Sequence, residues 1–322
     1  MNPLVVGDVH INAKLNVNFE RERIEALTAS LKGQQDYSTI VFAGDTFDSD
    51  TPNLEEIDIF YTMIRALEES YKIFVFGGNH DPTVFNYLPE TGFTYLTEPT
   101  KLGAHFLCVP WNCLPSFIQS RPSNPDVILI SHARCTIPPH IVEEVDISYL
   151  SKHFKLTVLG DIHYDYQPYK NVIYTTSPSN VVFNTTLGSK AFRGYIGLRG
   201  GSFKYERIQT KLPTKWVVEF DSVKEARAFI LENQAARDYY KIFITDLAEN
   251  LPELHGITGS RIIKVVLPKI EEVQSDSLSD SIKQFIDASI STKEYVYEYL
   301  QEVMKVKESI LLEIKNRLNR LT

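Results

Sequence analysis

The stretch Leu4-Val5-Val6-Gly7-Asp8-Val9-His10 places an apolar run directly before a glycine and two side chains that can coordinate a metal ion. The same order, a short apolar run and then a polar motif, occurs four more times before residue 165. These runs are Ile40–Ala43 before Gly44-Asp45, Ile73–Phe76 before Gly77-Gly78-Asn79-His80-Asp81, Val127–Ile130 before Ser131-His132, and Leu156–Leu159 before Gly160-Asp161-Ile162-His163. The first half of the chain therefore repeats one pattern, a short apolar run followed by a polar motif.

The apolar runs predict strands. Each run is short, rich in residues that favour β-structure and without alternation, which is typical of strands buried on both faces. Helical patterns lie between the first three runs, around residues 24–31 and 57–67, with Thr51 as the N-cap of the second helix and Pro52 in its first turn. This alternation indicates βαβ units and a largely parallel sheet. Ligands of such sheets bind beyond the carboxyl ends of the strands, where all five polar motifs fall.

Composition limits the class of protein. The 322 residues are 43% hydrophobic and 23% charged, as in a globular protein of about two domains. No apolar run approaches the ~20 residues of a membrane helix, and the N-terminus lacks the basic start of a signal peptide. The three cysteines include no Cys-x-x-Cys pair, which argues against a disulfide framework and a zinc finger. We therefore expect a cytoplasmic protein, in the host cytoplasm if a phage encodes it.

The net charge of −8 at pH 7 argues against nucleic-acid binding through a diffuse basic surface. It does not exclude a nucleic acid as such, because bound metal ions can offset clustered carboxylates. Any affinity for DNA is expected to come from a local site.

Metal-competent side chains follow all five predicted strands. Taken singly the motifs are weak, since an aspartate in a turn is a common cap and a lone histidine is most often structural. Their coincidence at one edge of a sheet predicts a metal site. Mixed carboxylate, amide and imidazole ligands suit Mn²⁺, Fe²⁺ or Zn²⁺, and they are too many for one ion, which indicates two. The predicted ligands are Asp8, His10, Asp45, Asn79, His132, Asp161 and His163.

A pair of divalent ions is a common device for the hydrolysis of phosphate esters. A carboxylate must bridge the ions, and Asp45 is the natural candidate. The leaving oxygen needs a proton, which we expect from His80, because it follows the ligand Asn79. Asp81 is expected to orient the His80 ring or raise its pKa. His80 and Asp81 are therefore the predicted catalytic residues.

The ordered motifs resemble those of the calcineurin-like metallophosphoesterases, and within that superfamily the chain resembles SbcD-type DNA nuclease subunits of the kind that phages encode. The likeness of motifs covers roughly residues 1–210. It implies an α/β sandwich of two central β-sheets flanked by helices, with a small α+β capping domain and a C-terminal helix. The expected parts are a nuclease domain over residues 1–212, a capping domain over 213–270, and a linker with a helical ATPase-binding segment over 271–322.

The resemblance also implies roles for the site residues. The ligands of the first ion match Asp8, His10, Asp45 and His163, those of the second match Asp45, Asn79, His132 and Asp161, and His80 matches the histidine that handles the leaving group. The family cleaves DNA with Mn²⁺, usually as a homodimer and together with a coiled-coil ABC-type ATPase. We therefore expect a Mn²⁺-dependent DNA exonuclease with endonuclease capacity, in complex with an SbcC-like ATPase, in DNA recombination, repair or replication.

Two positions depart from the family pattern. Asp161 stands where the pattern has a histidine, and a carboxylate there can still ligate, with a preference for Mn²⁺ or Mg²⁺. Asp48 falls where related nucleases often carry a histidine that touches the substrate. Because a carboxylate repels a phosphate, we do not expect Asp48 to be catalytic. Arg134 is expected to be an ordinary solvated arginine, with a phosphate contact as the second possibility.

Two further features of the sequence each allow two interpretations. Tyr164 and Tyr166 either stack on a base or pack against the sheet. The apolar stripe from Val296 to Leu321 docks either on the protein itself or, as the acidic linker before it favours, on a partner.

The expected nuclease activity has two rivals. One is another metallophosphoesterase, a phosphatase or cyclic-nucleotide phosphodiesterase. The other is a catalytically weak scaffold that anchors an ATPase to DNA ends. Hydrolysis of linear duplex DNA, compared with that of small phosphoesters, distinguishes these functions.

Overall fold

The structure, a computed structural model, describes residues 1–14, 16–120, 123–135, 144–179, 192–233 and 237–244, and the backbone of 262–266. The predicted linker and the predicted C-terminal helix, with its apolar stripe, lie outside the described residues. In the described part of the chain, no helix has the length and apolar character that crossing a membrane requires.

Strands and helices alternate at the start of the chain, as the sequence predicts. In the described residues the strands are β1 (Pro3–Val6), β2 (Thr39–Ala43), β3 (Lys72–Phe76), β4 (Thr94–Tyr95), β5 (Thr100–Leu102), β6 (Phe106–Cys108), β7 (Asn124–His132), β8 (Phe154–Gly160), β9 (Val172–Tyr174), β10 (Gly194–Arg199), β11 (Lys204–Gln209), β12 (Lys215–Phe220), β13 (Tyr239–Ile244) and β14 (Ile262–Val266). The helices are α1 (Val17–Lys32), α2 (Leu54–Glu68), α3 (Leu114–Gln119), α4 (Ile147–His153) and α5 (Val223–Glu232). The five strands predicted before the polar motifs are present as β1, β2, β3, β7 and β8.

The first sheet has the strand order β11-β10-β1-β2-β3-β4. Strands β1 to β4 run parallel, with Val5 opposite Val41 and Val41 opposite Phe74. Strand β10 is antiparallel to β1, and β11 is antiparallel to β10. Helices α1 and α2 make the crossovers between β1, β2 and β3. The predicted parallel start of the sheet is confirmed, and the carboxyl ends of these strands therefore meet at one edge.

The second sheet has the order β5-β6-β7-β8-β9, in which β6 to β9 run parallel and β5 is antiparallel to β6. Buried side chains join the two sheets, with Val41 and Phe74 of the first sheet in one cluster with Ile130 and Val158 of the second. Helices α1 and α2 cover the first sheet, and α3 and α4 cover the second. The predicted fold class, two central sheets flanked by helices, is confirmed.

The start of α2 differs from the prediction. Its N-cap is Asn53, whose side chain accepts from the backbone N–H of Glu56, while the Glu56 carboxylate accepts from the N–H of Asn53. This reciprocal capping box satisfies two backbone donors at once, and Thr51, the predicted cap, contacts the hydroxyl of Ser49 instead. Glu56 also accepts from the N–H of Ala13 at 2.9 Å. The cap therefore ties α2 to the loop that follows β1.

The chain divides into two compact units, Met1–Trp216 with Arg237–Tyr239, and Val217–Ala236 with Tyr240–Thr322. The second unit contains most of the sheet β12-β13-β14, in which β13 and β14 run parallel, and helix α5, which begins after the N-cap Ser222. These are the elements that the sequence predicts for a small α+β domain. The expected limits of 1–212, 213–270 and 271–322 stay a prediction.

Candidate metal centre

The polar motifs meet at the carboxyl ends of β1, β2, β3, β7 and β8, where the backbone is unusual. Asp8, His10, Asp45 and Asp161 have positive φ angles of 55°, 47°, 49° and 97°. A left-handed backbone costs a residue with a side chain about 1 kcal/mol or more, and such strain concentrates at functional sites. Surrounding contacts must therefore hold these loops in place.

Two glycines make room for the central histidine. His132, at the end of β7, is fully buried, and its imidazole lies against Gly44 and Gly160. A Cβ at either glycine would lie 2.4 Å from Nδ1 of His132, well inside contact distance. This close approach explains why a glycine precedes both Asp45 and Asp161.

Asp8, His10 and His163 form the first group of candidate ligands. Nε2 of His10 lies 3.1 Å from Nε2 of His163, which lies 3.6 Å from Oδ1 of Asp8. Nδ1 of His10 lies 3.0 Å from Oδ1 of Asp48, so we assign the proton to Nδ1, which donates to that carboxylate. Nε2 of His10 then faces the group with its lone pair.

Asp8, Asp45 and His132 form the second group. Nδ1 of His132 lies 3.0 Å from the carbonyl oxygen of Ala43, which fixes a proton on Nδ1 and directs Nε2 into the group. Nε2 of His132 lies 2.9 Å from Oδ1 of Asn79. The structure therefore brings the Asn79 amide oxygen next to the group for which it was predicted.

Asp45, a member of the second group, also lies close to His10 of the first group. Its Oδ2 atom is 3.5 Å from Nε2 of His10 and 3.5 Å from Nε2 of His132. Its Oδ1 atom accepts from the backbone N–H of His80 at 2.9 Å. One carboxylate oxygen is thus shared by a histidine from each group, which is the position that a bridging ligand needs.

The donor set fits a pair of divalent ions. Convergent imidazole nitrogens, buried carboxylates and an amide oxygen are ligands that Mn²⁺, Fe²⁺ and Zn²⁺ accept. The Nε2 atoms of His10 and His163 face each other at 3.1 Å, where two lone pairs repel unless a proton or a cation is present. Asp8, His10, Asp45 and His132 are each at most 2% exposed, so their polar atoms depend on one another or on a bound cation.

The electrostatics of the groups also favour a cation. Burial raises the pKa of Asp8 to about 7. Burial opposes charge on His132, but the carboxylates of Asp45 and Asp8 outweigh it and raise the pKa of His132 to about 10. The charge on His132 in turn keeps the pKa of Asp45 well below its usual range, against the effect of burial. Burial, with the charge on His10, lowers the pKa of His163 to about 3. The carboxylates therefore draw positive charge into the site, which a bound ion would supply.

His80 lies at the exposed rim of the site. Its Nδ1 atom is 3.1 Å from the carbonyl oxygen of Asp48, and its ring centre is 4.7 Å from that of His10. With His10 and Asp48, His80 forms a further group of converging ligand atoms. The predicted proton donor is thus adjacent to the ligand groups while its ring stays open to a substrate.

Asp81 serves the backbone and not the His80 ring, which corrects the catalytic role that the sequence predicts for it. Its buried carboxylate accepts from the N–H groups of Asp45 at 3.1 Å, Phe47 at 2.9 Å and Gly78 at 2.7 Å. These bonds join the loops after β2 and β3. The physical reason is that neighbouring side chains of a loop can face opposite sides, here the solvent and the core.

Asp161 lies beside the second group. Its Oδ1 atom is 4.0 Å from Nε2 of His132. Both of its oxygens accept from Arg134, from Nε at 2.9 Å and from Nη2 at 2.8 Å. That Asp161 is a ligand therefore stays a prediction. The expectation that Arg134 is an ordinary solvated arginine is wrong, because its side chain is held in a two-bond ion pair.

The sequence predicts no catalytic role for Asp48, yet in the structure its carboxylate orients His10, a ligand of the first group. Its Oδ1 atom contacts His10, and its Oδ2 atom accepts from Nδ2 of Asn12 at 2.6 Å. The available signal was the spacing Gly44-Asp45-x-x-Asp48, which adds a second carboxylate three residues after the bridging one. The repulsion between Asp48 and a phosphate is real, but it concerns the substrate and not the orientation of a ligand.

A buried ion pair supports the loop that follows β1. Arg23 and Glu20, both on α1, are 1% and 0% exposed. Nη2 of Arg23 donates to the carbonyl oxygens of Val9 at 2.9 Å and His10 at 3.1 Å, and Nη1 donates to Oγ of Ser179 at 3.0 Å. In sequence, such a pair cannot be told from the exposed i,i+3 pairs that are common on helices. The structure alone reveals it.

The N-terminal part of the chain is similar to a known protein family. The sequence profile described as calcineurin-like phosphoesterase matches residues 1–149. No curated protein matches the chain. Among solved structures, an archaeal phosphodiesterase is 14% identical with a TM-score of 0.34, over 65% of this chain and 99% of that chain. Pseudomonas putida nuclease MPE is 13% identical with a TM-score of 0.30, over 63% of this chain and 87% of that chain. Because both TM-scores are below 0.5, neither structure bears on the activity of this protein.

The profile match and the site agree on the class of protein. Residues 1–149 match the calcineurin-like phosphoesterase profile, and side chains at the strand ends form two joined groups of candidate metal ligands. The protein is therefore a metal-dependent hydrolase of phosphoesters.

Proposed function

We propose that the protein is a DNA nuclease that uses two divalent ions, Mn²⁺ in preference to Mg²⁺, to hydrolyse phosphodiester bonds at DNA ends, with endonuclease capacity. The observation that carries the proposal is the shared Oδ2 atom of Asp45, 3.5 Å from His10 and 3.5 Å from His132. Two ligand groups that share carboxylates, Asp8 as well as Asp45, match the two-ion device for phosphodiester hydrolysis.

Asp8, His10, Asp45 and His163 would hold one ion, and Asp45, Asn79 and His132 the other. When bound, the ions supply Lewis acidity to the phosphate oxygens and to the attacking water. The chain itself keeps the ligands in position. Acceptors at Nδ1 fix the rings of His10 and His132, so that both present Nε2 to the site before any ion arrives.

His80 is proposed to protonate the leaving oxygen. Its Nδ1 proton is engaged by the carbonyl oxygen of Asp48, 3.1 Å away. The transferable proton of the imidazolium is therefore the one on Nε2. The backbone N–H of His80 donates to Asp45, which fixes the main chain of His80 beside the bridging carboxylate, while the exposure of the side chain leaves room for a substrate.

One aromatic side chain at the rim supports DNA over a smaller phosphoester. Tyr164 directly follows His163 and is 43% exposed. Tyr166 packs against Tyr174 of β9, with ring centres 5.8 Å apart, so it belongs to the sheet. An exposed aromatic face beside a phosphodiester site can stack on a base, for about 1–3 kcal/mol. Such stacking would give the site a local affinity for DNA, which a chain of net charge −8 does not gain from a diffuse basic surface.

The proposed setting is a cytoplasmic complex of a homodimer with an SbcC-like ATPase, in DNA recombination, repair or replication. The free thiols of Cys108, Cys113 and Cys135 support a reducing compartment. The ATPase is expected to bind the segment 271–322. Deletion of residues 282–322 should then abolish co-purification with the ATPase and leave hydrolysis of a small phosphodiester intact.

End-labelled duplex DNA with Mn²⁺, with and without the co-expressed ATPase, tests the proposal. We expect shortening from the ends, lost with a chelator and in Asp45→Ala. The matched control is His153→Ala, because His153 precedes β8 at the end of the strand opposite to the site. Hydrolysis of p-nitrophenyl phosphate or cyclic nucleotides without DNA cleavage would indicate another phosphoesterase. Bound ions without any hydrolysis would indicate a scaffold.

A further inference from the structure

The ion pair of Arg134 and Asp161 lies at the edge of the ligand groups. Nε and Nη2 of Arg134 donate to the two oxygens of Asp161 at 2.9 and 2.8 Å, a parallel geometry that fixes the plane of the guanidinium. The oxygen that accepts from Nη2 is also the one that lies 4.0 Å from Nε2 of His132. The Asp161 carboxylate therefore contacts the guanidinium on one side and lies near His132, a ligand of the second group, on the other.

The Arg134 side chain is partly exposed to solvent. The side chain is 29% exposed, and within the described parts of the chain no acceptor lies at hydrogen-bonding distance from Nη1. A guanidinium stays protonated at any physiological pH, so the charge of Arg134 is permanent. The backbone is anchored too, because the N–H of Arg134 donates to Glu144 at 3.1 Å, and the same Glu144 oxygen accepts from Trp111 at 3.1 Å. A fixed cation thus borders a site for phosphoesters.

Charge balance explains why the two residues occur together. An unpaired Asp161 carboxylate would add negative charge where an anionic substrate must bind. Paired with Arg134 it is formally neutral. The pair therefore adds no net charge to the site and offers N–H donors with the geometry that suits phosphate.

We propose that Arg134 is a substrate-binding residue that donates from Nη1 to a non-bridging oxygen of the phosphodiester, and that Asp161 is the residue that positions it. The inference rests on the proposed function, because it assigns a part of the same substrate. Arg134 keeps both bonds to Asp161 and gains a charge-assisted bond to the anion, worth roughly 10- to 100-fold in affinity.

Binding of inorganic phosphate to the Mn²⁺-loaded protein tests the inference without cleavage. In isothermal titration calorimetry, Arg134→Ala should weaken phosphate binding roughly 10- to 100-fold. Arg134→Lys should restore only part of the affinity, because an ammonium keeps the charge but not the planar fork. The matched control is Arg199→Ala, which breaks an ion pair with Asp36 at the far end of β10 and should bind phosphate like the wild type.

A Mn²⁺ titration separates the two roles open to Asp161. Asp161→Asn should bind both ions and lose phosphate affinity, because the guanidinium is no longer held. An ion lost in Asp161→Asn would make Asp161 a ligand and overturn the inference. The inference would also be overturned if the wild type bound no phosphate, or if wild type and Arg134→Ala bound phosphate equally. These two outcomes decide the inference even if Asp161→Asn does not fold. Phosphate binding through Arg134 without DNA cleavage would remove only the proposed DNA substrate.

Discussion

Oδ1 of Asp48 lies 3.0 Å from Nδ1 of His10, and this contact sets the direction in which the imidazole offers its lone pair. His10 is 2% exposed, so no water can easily replace Asp48 as the acceptor. Burial lowers the pKa of His10, but the hydrogen bond to Asp48, together with the charges on Asp45, Asp8 and Asp48, outweighs burial and raises it. A carboxylate behind a histidine ligand fixes the tautomer and strengthens the ligand.

Replacement of Asp48 is therefore expected to weaken metal binding. Asp48→Ala should lower the Mn²⁺ affinity of the first group roughly 10- to 100-fold. Asp48→Asn should have a smaller effect, because its amide oxygen can still accept from Nδ1 of His10. Calorimetric titration with Mn²⁺ measures this, with Asp36→Ala as a control that removes an exposed carboxylate. Unchanged affinity in Asp48→Ala would show that His10 is oriented by other contacts.

His80→Ala should separate chemistry from metal binding. His80 is adjacent to the ligand groups, but its ring is directed to the Asp48 carbonyl and to solvent. We expect both ions to bind with wild-type affinity and turnover to fall ~10²- to 10⁴-fold, the usual contribution of general acid catalysis. Steady-state rates on DNA and a Mn²⁺ titration on the same preparation decide this. Near-normal rates in a folded, metal-loaded variant would remove His80 from the mechanism.

Metal binding should release protons near neutral pH. Without metal, the neighbouring carboxylates raise the pKa of His132 to about 10 against the effect of burial, and burial raises the pKa of Asp8 to about 7. Both residues must lose protons to ligate, so the affinity for Mn²⁺ should rise with pH between roughly 6 and 9. Titrations at pH 7 in buffers of different ionisation enthalpy give the number of protons released. A heat that does not depend on the buffer would contradict the expectation.

The same shifts also affect the stability of the metal-free fold. The raised pKa of His132 contributes stability that is complete below the unfolded value of 6.5 and is lost as the pH rises through about 10. The raised pKa of Asp8 contributes stability below its unfolded value of 3.8, which is lost as the pH rises through about 7. The lowered pKa of His163 acts in the opposite direction below pH 6.5. Metal-free protein should therefore become less stable mainly from about pH 7 to about pH 10, and added Mn²⁺ should reverse this trend. Thermal unfolding with and without a chelator measures both.

The strands and the main site residues could be predicted because their signals are local. A strand buried on both faces must be an apolar run, and a parallel sheet brings the residues after its strands to one edge. That is why Asp45, His132 and Asn79 are found together in the structure as the sequence predicts. Glycine before Asp45 has an equally local reason, the close approach of His132.

The remaining features depend on which long-range partner a side chain finds. Arg134 and Asp161 are 27 residues apart, and nothing in either motif specifies that one carboxylate will engage one guanidinium. Asp81 follows His80 in sequence, yet the Asp81 carboxylate is buried and accepts from the backbone N–H of Asp45, whereas His80 is exposed. Sequence identifies the chemical groups here, and only tertiary packing decides which of them meet.

Arg23 provides the test of how the loop after β1 is held. In Arg23→Ala the buried Glu20 carboxylate would lose its counter-charge, and the carbonyl oxygens of Val9 and His10 would lose their donor. Removal of one partner of a buried pair costs about 3–5 kcal/mol, and we expect that loss in the free energy of unfolding in urea. Mn²⁺ affinity should fall as well, because the strained backbone of His10 is no longer fixed.

Two variants show whether the loss comes from the buried charge. Arg21→Ala, on the same helix, breaks an exposed pair with Asp58 and should cost less than about 1 kcal/mol. The double variant Glu20→Gln with Arg23→Met leaves no unpaired charge, so it should be more stable than Arg23→Ala alone, although it too lacks the donors to Val9 and His10. If its stability recovers while Mn²⁺ binding stays weak, Arg23 holds the metal loop by its hydrogen bonds. A cost in Arg23→Ala no larger than in Arg21→Ala would mean that α1 packing alone supports the loop.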